Sequence, residues 1–220
     1  MRTAIVGAVI AALAGCGSYS TYKTTRIARA GHNEWLFGAQ IAGVRAVDPP
    51  GDARGAIAPM PEVALGWRRG FRGRYELQAN GTLFALKQLQ TGSIEVAGKV
   101  RILEHGRWSL AAGLGVGYRL AGSSGAIVEG MFVSAPVIGG VELGRHQLVL
   151  SVVGGYQRWY SSGATPVDIP FIGQSLGFVW QVGKNWALLP EIGAAWTPKE
   201  NFMSETSQLF HVGIAAMWTH

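Results

Sequence analysis

The stretch Trp108-Ser109-Leu110-Ala111-Ala112-Gly113-Leu114-Gly115-Val116-Gly117-Tyr118-Arg119-Leu120 alternates without a break. Its even positions are Trp, Leu, Ala, Leu, Val, Tyr and Leu, and its odd positions are Ser, Ala, Gly or Arg. Successive side chains of a strand point to opposite faces, so this is a strand with one apolar face and one small or polar face. Trp108 and Tyr118 stand near the two ends of the apolar face. At about 3.3 Å per residue and a tilt near 40°, they are separated by roughly 25 Å of height, the depth of the apolar band crossed by membrane strands.

Composition agrees with that reading. Only 15% of the 220 residues are charged, against roughly 25% in an ordinary soluble domain. No uninterrupted apolar run reaches the roughly 18 residues of a membrane helix. Hydrophobicity spread through alternation, with 32 glycines, suits a β-barrel and not a helical bundle. The formal charge of +6 forms no basic helix face or aromatic platform, so nucleic acid is not expected as a partner. The length suits one folded domain.

The same alternation recurs along the chain. Strands are expected near 35–44, 61–69, 74–87, 93–104, 108–120, 127–143, 146–160, 169–182, 186–197 and 208–218. That makes ten, although a pattern of this kind also admits eight or twelve. The third strand changes parity at Asn80-Gly81, after which Phe84 and Leu86 form the apolar pair; this predicts a bulge. Pro136 and Pro190 remove ladder hydrogen bonds and are further candidates for bulges. Connections run long, short, medium, short, medium, short, long, short, long. Membrane barrels have short periplasmic turns and longer outer loops, which places both barrel termini on the periplasmic side.

Two sets of side chains follow from the parity. Trp35, Trp67, Tyr75, Trp108, Trp180, Trp186 and Trp218 all fall on apolar faces near periplasmic strand ends, as a membrane-interface girdle. Tyr118, Tyr156, Trp196 and Phe210 mark the opposite rim. Inward faces carry Glu62, Arg68, Glu76, Glu95, Lys99, Arg101, Arg119, Glu142, Glu191 and His211. Ion pairs Arg68–Glu76, Glu95–Arg119 and Glu191–His211 are near enough in register to form. Ten strands are too few for an open porin-type channel, so a narrow, charge-filled lumen is expected.

At the amino terminus, Arg2 precedes the uncharged segment 3–14, too short to span as a helix and consistent with a secretory signal. The run Leu13-Ala14-Gly15-Cys16 resembles the bacterial lipobox, which implies that Cys16, the sole cysteine, becomes the lipid-bearing first residue. Gly17 stands where that family's inner-membrane retention signal usually has Asp, which implies the outer membrane. The expected division is a signal peptide at 1–15, a polar lipidated tether at 16–33 and a barrel at 34–220. By pattern over 35–218, the chain resembles bacterial outer-membrane β-barrel proteins, specifically the small lipoprotein barrels. The resemblance implies an all-β, transmembrane, antiparallel up-and-down barrel in contact with outer-membrane lipids. The ending Met217-Trp218-Thr219-His220 lacks the terminal aromatic that barrel assembly machinery usually recognises; Trp218 is the nearest substitute.

No cofactor or metal is implied, since no ligand spacing or phosphate-binding glycine loop occurs. Enzymatic activity is not expected. Omptin proteases need Asp and His at the outer rim, where Asp168 and His211 are the only pair and lack the accompanying acidic cluster. Lipid A deacylases carry a Ser two residues after a His, a spacing absent at His32, His105, His146, His211 and His220. The leading expectation is a structural or surface-interaction role. Narrow-pore or small-hydrophobic-ligand transport is the alternative, and a lipid-modifying enzyme the third.

Overall fold

The alternation at 108–120 becomes the fifth strand of a closed antiparallel barrel of ten. The computed structural model describes residues 22–46, 58–86, 89–123, 126–161, 165–197 and 207–220. The strands are β1 (Asn33–Ala46), β2 (Ala58–Phe71), β3 (Tyr75–Leu86), β4 (Leu89–His105) and β5 (Trp108–Ser123), then β6 (Ala126–Leu143), β7 (His146–Ser161), β8 (Val167–Gln181), β9 (Trp186–Thr197) and β10 (Ser207–Thr219). Each pairs with its sequence neighbours, and β1 pairs with β10 to close the ring. Closure leaves no unpaired edge. The expected signal segment, Cys16 and parts of the longer loops lie outside the described residues.

The short connections between β2–β3, β4–β5, β6–β7 and β8–β9 gather at one end with the starts of β1 and the finish of β10. We call this the turn end, and the other the loop end. Backbone at positive φ makes three of the turns tight: Arg72 and Gly73, Gly106, and Gly144.

Apolar side chains cover the outside. Leu114 and Val116 are 60% and 56% exposed, while Ala111 and Arg119 on the other face are buried. The same inversion holds at Leu65, Ile94, Ile172 and Ile214. It is the reverse of a water-soluble protein, whose exposed apolar patches rarely exceed a few hundred Å². Four tryptophans form one row at the turn end: Trp67 faces Trp35, Trp35 faces Trp218, and Trp218 faces Trp186. Trp218 and Trp186 stack with ring centroids 6.2 Å apart. Tyr75, Trp108 and Trp180 are likewise exposed on the outer wall.

Bulge positions differ from expectation. The register of β3 runs unbroken through Asn80 and Gly81, so there is no bulge there. Leu83 points out at 57% exposure and Phe84 points in at 1%. The apparent parity slip arose because both faces are apolar at that height. Opposite Pro136 and Pro190 the ladder is interrupted but its register does not shift. The register shift between β4 and β5 lies between Arg101 and Leu103, where consecutive Ile102 and Leu103 both face outward.

Charged and apolar side chains share the interior. Its turn-end half sets buried Arg68, Glu76 and Lys99 beside an apolar cluster that includes Leu36, Ile138, Val149, Val179, Leu189 and Met217. Its loop-end half buries Phe84, Phe132, Trp159, Ile169, Phe171 and Leu209 beside Glu62, Arg119, Gln157 and His211. The expected charge-filled lumen therefore describes only part of the interior. In β6 the inward residues Val128, Phe132 and Ile138 interleave with the outward residues Met131, Val133 and Val137. That removes the alternation from which inward residues were inferred.

Candidate functional site

The lumen is occupied by the chain itself. His32 donates its amide to Arg29 O at 2.9 Å, and Gly31 takes a φ of 81°, which residues with a Cβ rarely adopt. This turn sends the preceding chain back into the barrel. Ala30 bridges Gly70 at the rim. Residues 22–28 then climb to mid-height, where the Tyr22 hydroxyl donates to Ala39 O at 3.1 Å. Tyr22, Lys23, Thr24, Thr25 and Ala28 are all buried. This portion of the expected tether packs inside the wall. A polar segment suits a polar lumen as well as it suits water, so composition did not separate the two.

The wall is shaped to the segment. A Cβ on Gly38 would come within 2.6 Å of the Tyr22 ring, and all its nearest atoms belong to Tyr22. One on Gly213 would strike the Tyr22 hydroxyl, one on Gly140 the Thr25 hydroxyl, and one on Gly70 the Ala28 carbonyl.

Charged side chains hold the segment's backbone. Lys99 Nζ donates to Thr24 O at 2.9 Å and to Arg26 O at 3.0 Å. The Ala28 amide donates to Glu76 Oε2 at 2.7 Å, and Lys99 also pairs with Glu76 Oε1 at 2.8 Å. Thr25 Oγ lies 2.6 Å from Ser109 Oγ and accepts from Gln147 Nε2 at 2.8 Å. Arg26 pairs with Glu142 and donates to Arg145 O at 3.0 Å. Burial pushes the Lys23 ammonium down from its ordinary value, and the charges of Glu95 and Glu191 oppose that push.

The inward residues expected from parity distribute as follows. Glu62, Arg68, Glu76, Glu95, Lys99, Arg119, Glu191 and His211 are buried. Arg101 and Glu142 are half-buried at the turn end, where Arg101 pairs with Glu104 at 2.9 Å. Glu191 and His211 meet at 3.1 Å. Arg68 takes Glu34 as its direct partner, with Nε to Oε2 at 2.6 Å, and donates to Thr24 Oγ1 at 3.1 Å. Glu76, its expected partner, binds Lys99, although the Arg68 charge still acts on it. Glu95 accepts from Ser134 at 2.6 Å. Arg119 donates to Gln157 at 2.9 Å and lies over the Phe132 ring at 4.9 Å. Glu62 accepts from Gln40 at 2.5 Å.

Glu34 was legible in principle, since Trp35 faces out and its neighbour must face in; starting the strand at Trp35 hid it. Buried Gln40, Gln147 and Gln157 also escaped a reading restricted to charges. A cavity of about 40 Å³ remains in the lumen, lined by Tyr22, Lys23, Glu95, Arg119, Phe132 and Gln157 among others. That is room for little more than a water or two.

Asp168 and His211 are not brought together. Asp168 lies 3.5 Å from Arg158. His211 is level with Gly193 and, through it, with Ser175 on β8. That is seven positions along the strand (175 − 168 = 7) from Asp168. No group of three or more His, Cys, Asp and Glu suited to a metal occurs among the described residues.

No family model matches the sequence, and no curated protein matches it. Solved structures do match its fold. The β domain of the Bordetella autotransporter Brka aligns with a TM-score of 0.53 at 11% identity, over 84% of this chain and 98% of that one. An outer membrane channel from Pseudomonas putida F1 aligns at 0.53 and 9%, over 93% and 100%. The outer membrane protease OmpT from Escherichia coli aligns at 0.51 and 8%, over 91% and 100%. Identities this low speak to fold alone. With its apolar outer wall, tryptophan row and closed ring of ten strands, the chain has the fold of the bacterial outer-membrane β-barrels.

Proposed function

We propose that this chain is an outer-membrane barrel lipoprotein, anchored by a lipid on Cys16, whose role is structural or interactive and not that of an open pore. The observation that carries the closed-barrel reading is the occupied lumen: residues 22–28 fill the turn-end half, and aromatic side chains pack the loop-end half. In this reading the turn end faces the periplasm, and the longer loops present the contact surface. The three longest connections, 47–57, 162–166 and 198–206, all lie at the loop end and support that orientation, although β3–β4 and β5–β6 at the same end, expected to be of medium length, are joined by only two residues each.

Purified protein in a planar bilayer is expected to show no steady conductance. A large, stable, weakly selective conductance of the intact chain overturns the closed-barrel reading in favour of narrow-pore transport.

A further inference from the structure

The geometry points to a peptide-binding site in the turn-end half of the lumen, whose ligand class is a short basic peptide and whose present occupant, residues 22–28, is a displaceable segment of the same chain.

Three observations carry this. First, the wall contacts the segment as a binding site contacts a peptide. Lys99 takes two backbone carbonyls and Glu76 one amide, while Ser109, Gln147 and Glu142 take the side chains of Thr25 and Arg26. Glycines of β1, β6 and β10 leave recesses for Tyr22 and Thr25.

Second, the charges are complementary. Among the described residues the wall buries five glutamates against three lysines or arginines. The segment contributes Lys23 and Arg26, and Arg26 pairs with a sixth, half-buried wall glutamate, Glu142, so what now fills the wall offsets part of its acidic excess. Buried charge without a partner is costly, which favours a cationic occupant over a neutral or acidic one.

Third, the segment is not part of the barrel's ladder. All ten strand pairings close without it, and the isolated bridge beside it, Ala30–Gly70 at the rim, lies outside residues 22–28. The turn that carries it, residues 29–32, is exposed. Withdrawal therefore leaves every strand pairing in place and opens the site toward the turn end. The aromatic layer of the loop-end half stays shut behind it.

The test uses the full chain with Cys16→Ala, so that no lipid retains a released fragment. A protease site is placed within the exposed residues 29–32. After folding in detergent the chain is cut there, and a fluorescent peptide of residues 22–28 is added in excess. The expected result is exchange of the cut fragment for the peptide, at least 10-fold weaker binding of a peptide with Lys23 and Arg26 replaced by Gln, and weakening by salt. A fragment that cannot be removed from the folded barrel overturns displaceability. Equal binding of the basic and neutral peptides, or equal binding to the uncut chain, overturns the site. A second variant, with residues 22–28 replaced by Gly and Ser, is expected to assemble and to bind the peptide directly. Its failure to assemble even with peptide present makes the segment a fixed part of the core and counts against the proposal. The inference goes beyond the closed-barrel reading. Failed exchange leaves that reading standing, and steady conductance of the intact chain removes that reading while leaving peptide exchange to be judged by itself.

Discussion

Lys99 Nζ lies 2.8 Å from Glu76 Oε1, on directly opposed positions of β3 and β4, and the two side chains are only 2% and 0% exposed. The pair thus has protein on all sides, including the backbone of the segment inside the barrel.

Breaking one half of such a pair strands a buried charge. Lys99→Met or Glu76→Gln is expected to cost about 3–5 kcal/mol, and the double replacement much less than the sum of the two. Urea unfolding of the refolded barrel measures all three. Strictly additive losses would show that the two side chains do not depend on each other.

Gly38 and Tyr22 are coupled by shape. Gly38→Ala puts a methyl into the Tyr22 ring, an overpacking expected to cost about 1–3 kcal/mol. In a Tyr22→Ala background the same change is expected to cost little, since the three atoms nearest the added methyl all belong to Tyr22. An unchanged cost in the double-mutant cycle would mean that Tyr22 does not occupy this recess in the folded protein.

Leu114 stands on the outer wall at mid-strand. Leu114→Arg is expected to destabilise the barrel in lipid by about 2–4 kcal/mol. Asn185→Arg, in an exposed turn, is expected to be close to neutral. Equal tolerance at the two positions would remove Leu114 from the membrane.

Orientation is open to labelling in intact cells. In the Cys16→Ala background, a cysteine introduced between 46 and 59 is expected to react with an impermeant surface reagent, whereas one at Lys184 is not. The reverse pattern would turn the barrel over and place the turn end outside.

The lipobox reading predicts that the wild-type chain incorporates labelled acyl chains in cells and that Cys16→Ala abolishes incorporation. A wild type that takes up no label sinks that reading.

Much of the barrel was legible in the sequence because lipid imposes a rule on strands. Every second side chain of a membrane strand must be apolar, so 108–120 declared its faces without any knowledge of its neighbours. Strand order followed from short connections, and the row Trp67–Trp35–Trp218–Trp186 followed from the interface depth that all strands share. Inward charges such as Lys99 and Glu191 were found by the same parity. That rule lapses where inward side chains are themselves apolar, as at Phe84 and Phe132, and there the sequence misplaces the bulge and hides the apolar share of the lumen. What fills the lumen is a different kind of question. Tyr22, Lys23, Thr24 and Thr25 have no periodicity that separates a tether in water from a segment in a polar cavity, since both environments satisfy the same hydrogen-bonding groups. Only the closed ring, with Gly31 turning the chain inward and Gly38, Gly140 and Gly213 making room, decided that this segment lies inside the wall. It also set Arg68 against Glu34 and Glu76 against Lys99, because partners in a barrel are chosen by register around the whole circumference and not by spacing along one strand.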